Sequence, residues 1–273
     1  MEEFVYDYLR AHQDTIHTSL VYLPIFWTNL QNHPGFSQSS TKYNLLLQRA
    51  FQTFPPETRY VTVVQHDDGP LLTLPPNTIV MGSCTGTFPL PLLYEDTSHF
   101  LEQQPRMSLH QRPILASFVG TNTHGVRAQM VHYLTQQNVI CHVKSSWTSS
   151  VSQENAMRFI ETTLSSRFCL APRGYGRSSF RFFEAIQLDT IPVYVWDDKC
   201  WLPYQDRLDY SEFAVCIHVS ELPTLHDRLT TCSSPTTYER MLARLKEVKH
   251  WFTLEGMCAY IIETLHHSYP ETE

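Results

Sequence analysis

Phe168-Cys169-Leu170-Ala171-Pro172-Arg173-Gly174-Tyr175-Gly176-Arg177-Ser178-Ser179-Phe180-Arg181-Phe182-Phe183-Glu184-Ala185-Ile186 is the stretch whose reading decides the fold. An apolar run ends at Ala171 as a buried strand would. A loop with two glycines and two serines follows, and a helix is predicted to start near Ser178 or Ser179. Pro192 then heads a second strand, Val193–Val195, which runs into Trp196-Asp197-Asp198. A strand, glycine-bearing loop and helix in this order leave unpaired backbone N–H groups and a positive helix end where an anion can sit. Ser178 and Ser179 can cap the helix and donate to phosphate oxygens. Arg173, Arg177 and Arg181 add positive charge, with Arg181 placed to reach back to a diphosphate. Glu184, one turn further on, can accept from ribose or sugar hydroxyls. In open α/β sheets ligands bind off the carboxyl ends of the strands, where this loop falls. The plainer alternative is a surface loop whose serines only cap and whose arginines are solvated.

Outward from this segment the same alternation continues. Strands are predicted at Leu20–Leu23, Tyr60–Val64, Thr78–Met81, Ile114–Val119, Val139–Val143, Phe168–Ala171, Ile191–Val195 and Phe213–Val219. Several are continuous apolar runs, as in sheets covered on both faces. Helical stripes lie between and after them: Val126, Met130, Tyr133 and Leu134; Ala156, Ile160 and Leu164; Tyr238, Met241, Leu242 and Leu245; and Leu254 to Leu265. The pattern predicts an α/β architecture with parallel sheets. The polar, proline-bearing stretch Glu102–Pro113 marks a boundary, giving domains 1–112 and 113–250, with 251–273 as a final helix packing back across them. Pro34–Thr41 and Thr230–Thr237 read as surface loops.

Composition narrows the function. The chain has 273 residues, 42% of them hydrophobic, which is too apolar for a disordered protein. Its formal net charge is −7, and no Lys/Arg cluster could track a phosphate backbone, so nucleic acid is not an expected partner. No apolar run nears the ~20 residues of a membrane span. The N-terminus is acidic and unlike a signal peptide, and the seven cysteines include no Cys-x-x-Cys pair. A soluble, cytoplasmic protein with reduced cysteines is the expectation.

The central segment, with Ile191-Pro192-Val193 and Asp197-Asp198 after it, resembles the signature block of the exostosin-like glycosyltransferases, family 47. Val21-Tyr22-Leu23-Pro24, His66-Asp67-Asp68-Gly69, Phe118-Val119-Gly120 followed by Arg127, and Trp201-Leu202-Pro203 through Met241 are compatible with the rest of that family. The resemblance covers roughly residues 20–250. It implies a GT-B fold: two Rossmann-like domains with parallel sheets facing a central cleft, the first on the acceptor side and the second holding a nucleotide-sugar. It also implies an inverting transfer from a UDP-sugar to a hydroxyl of a glycan or glycoprotein. No cofactor is expected beyond that donor substrate.

Inverting transfer needs a base for the acceptor hydroxyl and positive charge for the departing UDP. The resemblance gives the leaving group to Arg181, Ser178, Ser179 and the helix end, with Arg127 and Arg173 as further candidates and Gly120 bordering the site. Glu184 would orient ribose or donor sugar, and Asp197 and Asp198 sugar or uridine. Asp67 is the first choice of base and His66 the second; a simple Asp-Gly turn is the competing explanation of that tetrapeptide. The sequence has no Asp-x-Asp, so a metal clamp on the diphosphate is not expected. The donor is read as UDP-xylose or another neutral sugar, because the basic groups are assigned to phosphates. Trp196, adjoining Asp197, is the best of the tryptophans for stacking on a sugar; Trp27, Trp147, Trp201 and Trp251 read rather as packing residues. A binding module that keeps the fold without turnover is the rival reading.

Overall fold

The computed structural model describes residues 1–96, 100–101, 103–134, 138–144 and 152–270. Trp147 lies outside them, as does Glu102 of the expected boundary. In chain order the elements are α1 (Glu2–Ala11), β1 (Leu20–Tyr22), α2 (Trp27–Gln31), α3 (Phe36–Phe51), β2 (Arg59–Val64), β3 (Ile79–Gly82), β4 (Phe88–Pro89), β5 (Ile114–Thr121), α4 (Gly125–Leu134), β6 (Val139–Lys144), α5 (Gln153–Leu164), β7 (Ser166–Pro172), α6 (Phe180–Gln187), β8 (Ile191–Trp196), β9 (Val215–His218), α7 (Leu222–Cys232), α8 (Pro235–Val248) and α9 (Leu254–Ser268). Both sheets are wholly parallel, so the expected α/β class with two sheet-bearing units is what the chain adopts.

The chain divides into two compact units, Met1–Tyr94 with Thr253–Glu273, and Glu95–Phe252. The first carries the sheet β1-β2-β3-β4. Its β2 is buried from Tyr60 onward, and Trp27 Nε1 donates to Thr62 Oγ1 at 2.8 Å, which donates on to Leu23 O. Glu2 is buried and accepts from the amides of Thr28 and Gln65 and from Thr28 Oγ1. Burial raises its pKa, and those donors oppose the rise. Helix α9 packs against α1, and Thr18 Oγ1 donates to Tyr269 O, so the C-terminal segment belongs to this unit rather than standing apart.

The second unit carries the sheet β6-β5-β7-β8-β9. After β5 the chain moves outward to β6, then returns past β5 to β7 and continues to β8 and β9. The order therefore reverses between β5 and β7, and the loops following those two strands flank the crevice where doubly wound sheets bind ligands.

Three expectations need correction. The boundary falls at Tyr94, not at 112, because Arg112 is a core residue of the second unit with 1% of its surface exposed. Its guanidinium donates to Met107 O, Ser166 O, Thr190 Oγ1 and Asp189 O, and burial lowers its pKa. Residues 36–41 are helical, not loop. Phe36 enters a core cluster with Trp27, Val64 and Leu72, and Tyr43 and Leu47 of the same helix pack against it. That packing outweighs the poor helix propensity of Ser39-Ser40-Thr41. The loop at 230–237 shrinks to Ser233 and Ser234, since Pro235 serves as the first residue of α8. Strand β4 was not anticipated; it is only two residues long.

Among the described residues no helix is long and apolar enough to cross a membrane. All seven cysteines are thiols. Burial pushes Cys169, Cys216 and Cys258 up to about 12, which leaves them poor nucleophiles and poor metal ligands.

Replacing Arg112 strands several buried oxygens at once. Arg112→Ala is expected to lower unfolding free energy by about 3 kcal/mol or more in urea titrations; a loss below ~1 kcal/mol would contradict its place in the core.

Candidate functional site

Four strands of the second sheet end close together, and their polar side chains knit the ends into one network. Strand β7 pairs with β8 up to Pro172 opposite Val195, and Arg173 extends the pairing by donating its amide to Val195 O at 3.0 Å. The register places Arg173 beside the residues that follow β8. Its Nη1 donates to Asp197 Oδ1 at 2.6 Å and to Asp198 Oδ1 at 2.7 Å, and its Nη2 to Tyr175 O at 2.9 Å. Arg177 donates from Nε to Asp198 Oδ2 at 2.8 Å. Partial burial opposes ionisation of Asp198, but the hydrogen bond from Arg177, the Lys199 amide and the charges of Arg173 and Arg177 outweigh it and hold the carboxyl below the usual range. This stabilisation is present above the unfolded carboxylate pKa and is lost as pH falls through the depressed folded value.

On the other side of the switch point, Arg127 reaches back from α4 to a carbonyl at the end of β5 and one just past β7. Nη1 donates to Thr121 O at 2.7 Å and Nε to Arg173 O at 3.0 Å, while the guanidinium lies 5.5 Å from the centre of the Phe118 ring. Gly120 has a packing reason to be glycine: a Cβ there would stand 2.6 Å from Phe118 Cζ. A Cβ on Gly174 would meet Arg127 Nη2 at 3.1 Å and Thr123 Oγ1 at 3.7 Å, so the loops after β5 and β7 approach each other at this glycine.

Beside that approach, three buried polar atoms make no hydrogen bond: Thr123 Oγ1, Arg173 Nε and Ser179 Oγ. Buried polar atoms are normally satisfied, so three orphans along one pair of loops make this place a candidate for an acceptor. Ser179 occupies the N-cap position of α6, yet its hydroxyl makes no capping bond although the residue is 97% buried. The cap is withheld from its own helix. Ser178 is buried next to it, with its carbonyl accepting from the Gly174 amide at 3.2 Å.

The remaining sequence-derived candidates fall as follows. Arg181 is stacked 3.9 Å over the Phe159 ring, donates to Val119 O at 2.7 Å and pairs with Glu184. That geometry joins α6 to the end of β5. Glu184 is buried rather than solvated. Trp196 packs edge-on against His218, whose Nε2 contacts Asp197 O at 2.6 Å. Trp27 and Trp201 are buried as packing residues. Asp67 and His66 belong to the first unit, at the carboxyl end of β2. Gly69 N donates to His66 O and Gly69 has φ +74°, so the tetrapeptide is a turn, with Asp67 exposed and accepting from Cys84 Sγ at 3.3 Å. Among the described residues no group of three His, Cys, Asp or Glu could hold a metal ion.

Sequence reasoning overlooked Thr123 and His124. His124 Nδ1 accepts from the Val126 amide at 3.3 Å, and Nε2 lies 3.8 Å from Asp197 Oδ2. The available signal was positional: both lie between Gly120 and Arg127, directly after a predicted strand.

This geometry agrees with what the chain is similar to. The exostosin GT47 domain model matches residues 77–232, which include the whole network of the second unit. A probable glycosyltransferase of Arabidopsis thaliana is 32% identical over 160 residues, 58% of this chain and 32% of the relative. A probable glucuronosyltransferase of Oryza sativa subsp. japonica is 33% identical over 81 residues, 30% of this chain and 18% of the relative. The aligned region is thus a third or less of the length of these relatives. Among solved structures, the crystal structure of TarM has a TM-score of 0.38 at 6% identity, covering 80% of this chain and 57% of that one. With more than half its length matched by the family model, the chain belongs to the exostosin GT47 family.

Proposed function

We propose that the chain is a glycosyltransferase that binds the diphosphate of a UDP-sugar at the loops following β5 and β7, and transfers the sugar with inversion to a glycan hydroxyl. The observation that carries this reading is the set of three orphaned donors, Thr123 Oγ1, Arg173 Nε and Ser179 Oγ, at the switch point of a doubly wound sheet. A diphosphate supplies the acceptors they lack, and the N-terminus of α6 with Arg127 supplies positive potential. Charge that develops on the departing UDP would meet donors already held in place.

Arg181 has a different part here from the one the sequence suggested. Its contacts to Val119 O, Phe159 and Glu184 make it the brace of α6, so it positions Ser179 and Glu184 rather than meeting the phosphates first. Glu184 remains the candidate for a ribose or sugar hydroxyl. Arg173 holds one oxygen of Asp197 and, with Arg177, both oxygens of Asp198, and the reading is of metal-independent transfer.

The resemblance implies Asp67 as the base that takes the acceptor's hydroxyl proton while the acceptor oxygen bonds to the anomeric carbon and the bond from that carbon to the diphosphate oxygen breaks. The Cys84 thiol supports this by donating to one oxygen of Asp67 and leaving the exposed carboxylate oriented. His66 is the second choice, its Nδ1 accepting from the Asp68 amide at 3.3 Å. The donor sugar is read as xylose or another neutral sugar, since Arg173, Arg177 and Arg181 already face carboxylates; the name of the rice relative makes glucuronic acid the competitor to test. A binding module that retained the fold is the alternative.

A thermal-shift screen should show UDP-sugars raising the melting temperature more than GDP-sugars, with UDP-xylose above UDP-glucuronic acid. Equal shifts from both nucleotide classes would remove the uridine reading. Ser179→Ala should weaken UDP about tenfold, the worth of one hydrogen bond to a charged acceptor, without lowering stability. Asp67→Asn should keep donor affinity and lower turnover ~10²-fold or more; undiminished turnover would discard Asp67 as base. Transfer should persist in excess EDTA, and loss that Mn²⁺ restores would overturn metal independence.

A further inference from the structure

We infer that His124 is a neutral hydrogen-bond donor to the diphosphate, a contact that rests on the donor-site reading above and adds a residue to it. The ring is fixed from one side: Nδ1 accepts the Val126 amide at the start of α4, which assigns the ring proton to Nε2. Nε2 lies 3.8 Å from Asp197 Oδ2, beyond hydrogen-bonding range. The other oxygen of Asp197 is already taken by Arg173 Nη1 at 2.6 Å and by the Asp198 amide at 2.8 Å. The carboxylate is therefore anchored by its neighbours and has no need of His124. The histidine is left holding an oriented proton over the end of the sheet.

Its position agrees with that role. His124 follows Thr123, whose hydroxyl is one of the orphaned donors, and the side chain is 30% exposed, so a ligand can reach it. It stands on the β5 side of the switch point and contacts the β8 side, while Arg173 rises from β7 between them. An anion seated against Thr123 Oγ1 and Ser179 Oγ would give Nε2–H the acceptor that Asp197 does not. A neutral donor suits this place, because the tautomer already set by Val126 donates without the ring taking up a second proton. The contact should strengthen as charge moves onto the leaving diphosphate, so His124 is read as contributing to turnover as well as to affinity.

The test is calorimetric titration of the native protein and two variants with UDP, with uridine measured by competition. His124→Ala is expected to weaken UDP about tenfold while leaving uridine unchanged, and His124→Gln, which keeps an N–H donor, to recover part of the loss. At saturating donor, His124→Ala should also lower kcat. Unchanged UDP affinity in His124→Ala would overturn the inference and leave the donor site standing. A parallel loss of UDP and uridine, accompanied by a lower melting temperature, would overturn it in favour of a purely structural cap on α4. Native protein that binds no UDP would remove the donor-site reading, and this inference with it.

Discussion

The buried guanidinium of Arg173 is the interaction on which the second unit's functional end depends. Parallel strands end with their carbonyls unpaired and their side chains converging, and a chain leaving β7 must turn at once into α6. Arg173 solves both problems together. Its amide prolongs the pairing with β8, its Nη1 joins Asp197 to Asp198, and its Nη2 holds Tyr175 O across the turn. A charge this far from water persists only when paired, and its two carboxylate partners lie on the next strand's loop. Removing Arg173 would leave Asp197 without its arginine partner, while Asp198 would keep Arg177.

The remaining features follow from that pinning. With the β7 loop tied to β8, Gly174 can approach Thr123 and Arg127, and Arg127 is drawn onto the carbonyls of β5 and β7. With α6 braced by Arg181 against Val119 O and Phe159, the N-cap serine is held in place without spending its own hydroxyl. Electrostatically the site is nearly balanced before ligand arrives, its arginines facing Asp197, Asp198 and Glu184. Selectivity for a diphosphate would then come from oriented neutral donors and a helix end more than from excess charge, which suits a protein of net charge −7.

Much of this was legible in the residues. The run Phe168–Ala171, the glycines after it and the serines before α6 specify a strand, a loop and a helix through local physics alone, and the structure has them within two residues. Continuous apolar runs likewise disclosed the parallel sheets. What escaped was what depends on partners distant in the chain. Arg112 looks like part of a polar linker because three of its four acceptors, Ser166 O, Asp189 O and Thr190 Oγ1, lie far along the chain. Helix α3 hides behind Ser39-Ser40-Thr41, since it is held by Phe36, Tyr43 and Leu47 against Trp27 rather than by propensity. The arginines of the central segment stood out as candidates, but not which would face carboxylates; that is set by the β7–β8 register. For His124 the sequence offered only its place after a predicted strand; the loop opposite comes from the fold.

The central claim is most directly tested by a crystal structure of the protein with UDP bound. The account predicts diphosphate oxygens within hydrogen-bonding distance of Thr123 Oγ1, Ser179 Oγ and Arg173 Nε, with the Arg173–Asp197 pair intact. A nucleotide seated elsewhere, with those three atoms no nearer any acceptor, would contradict it.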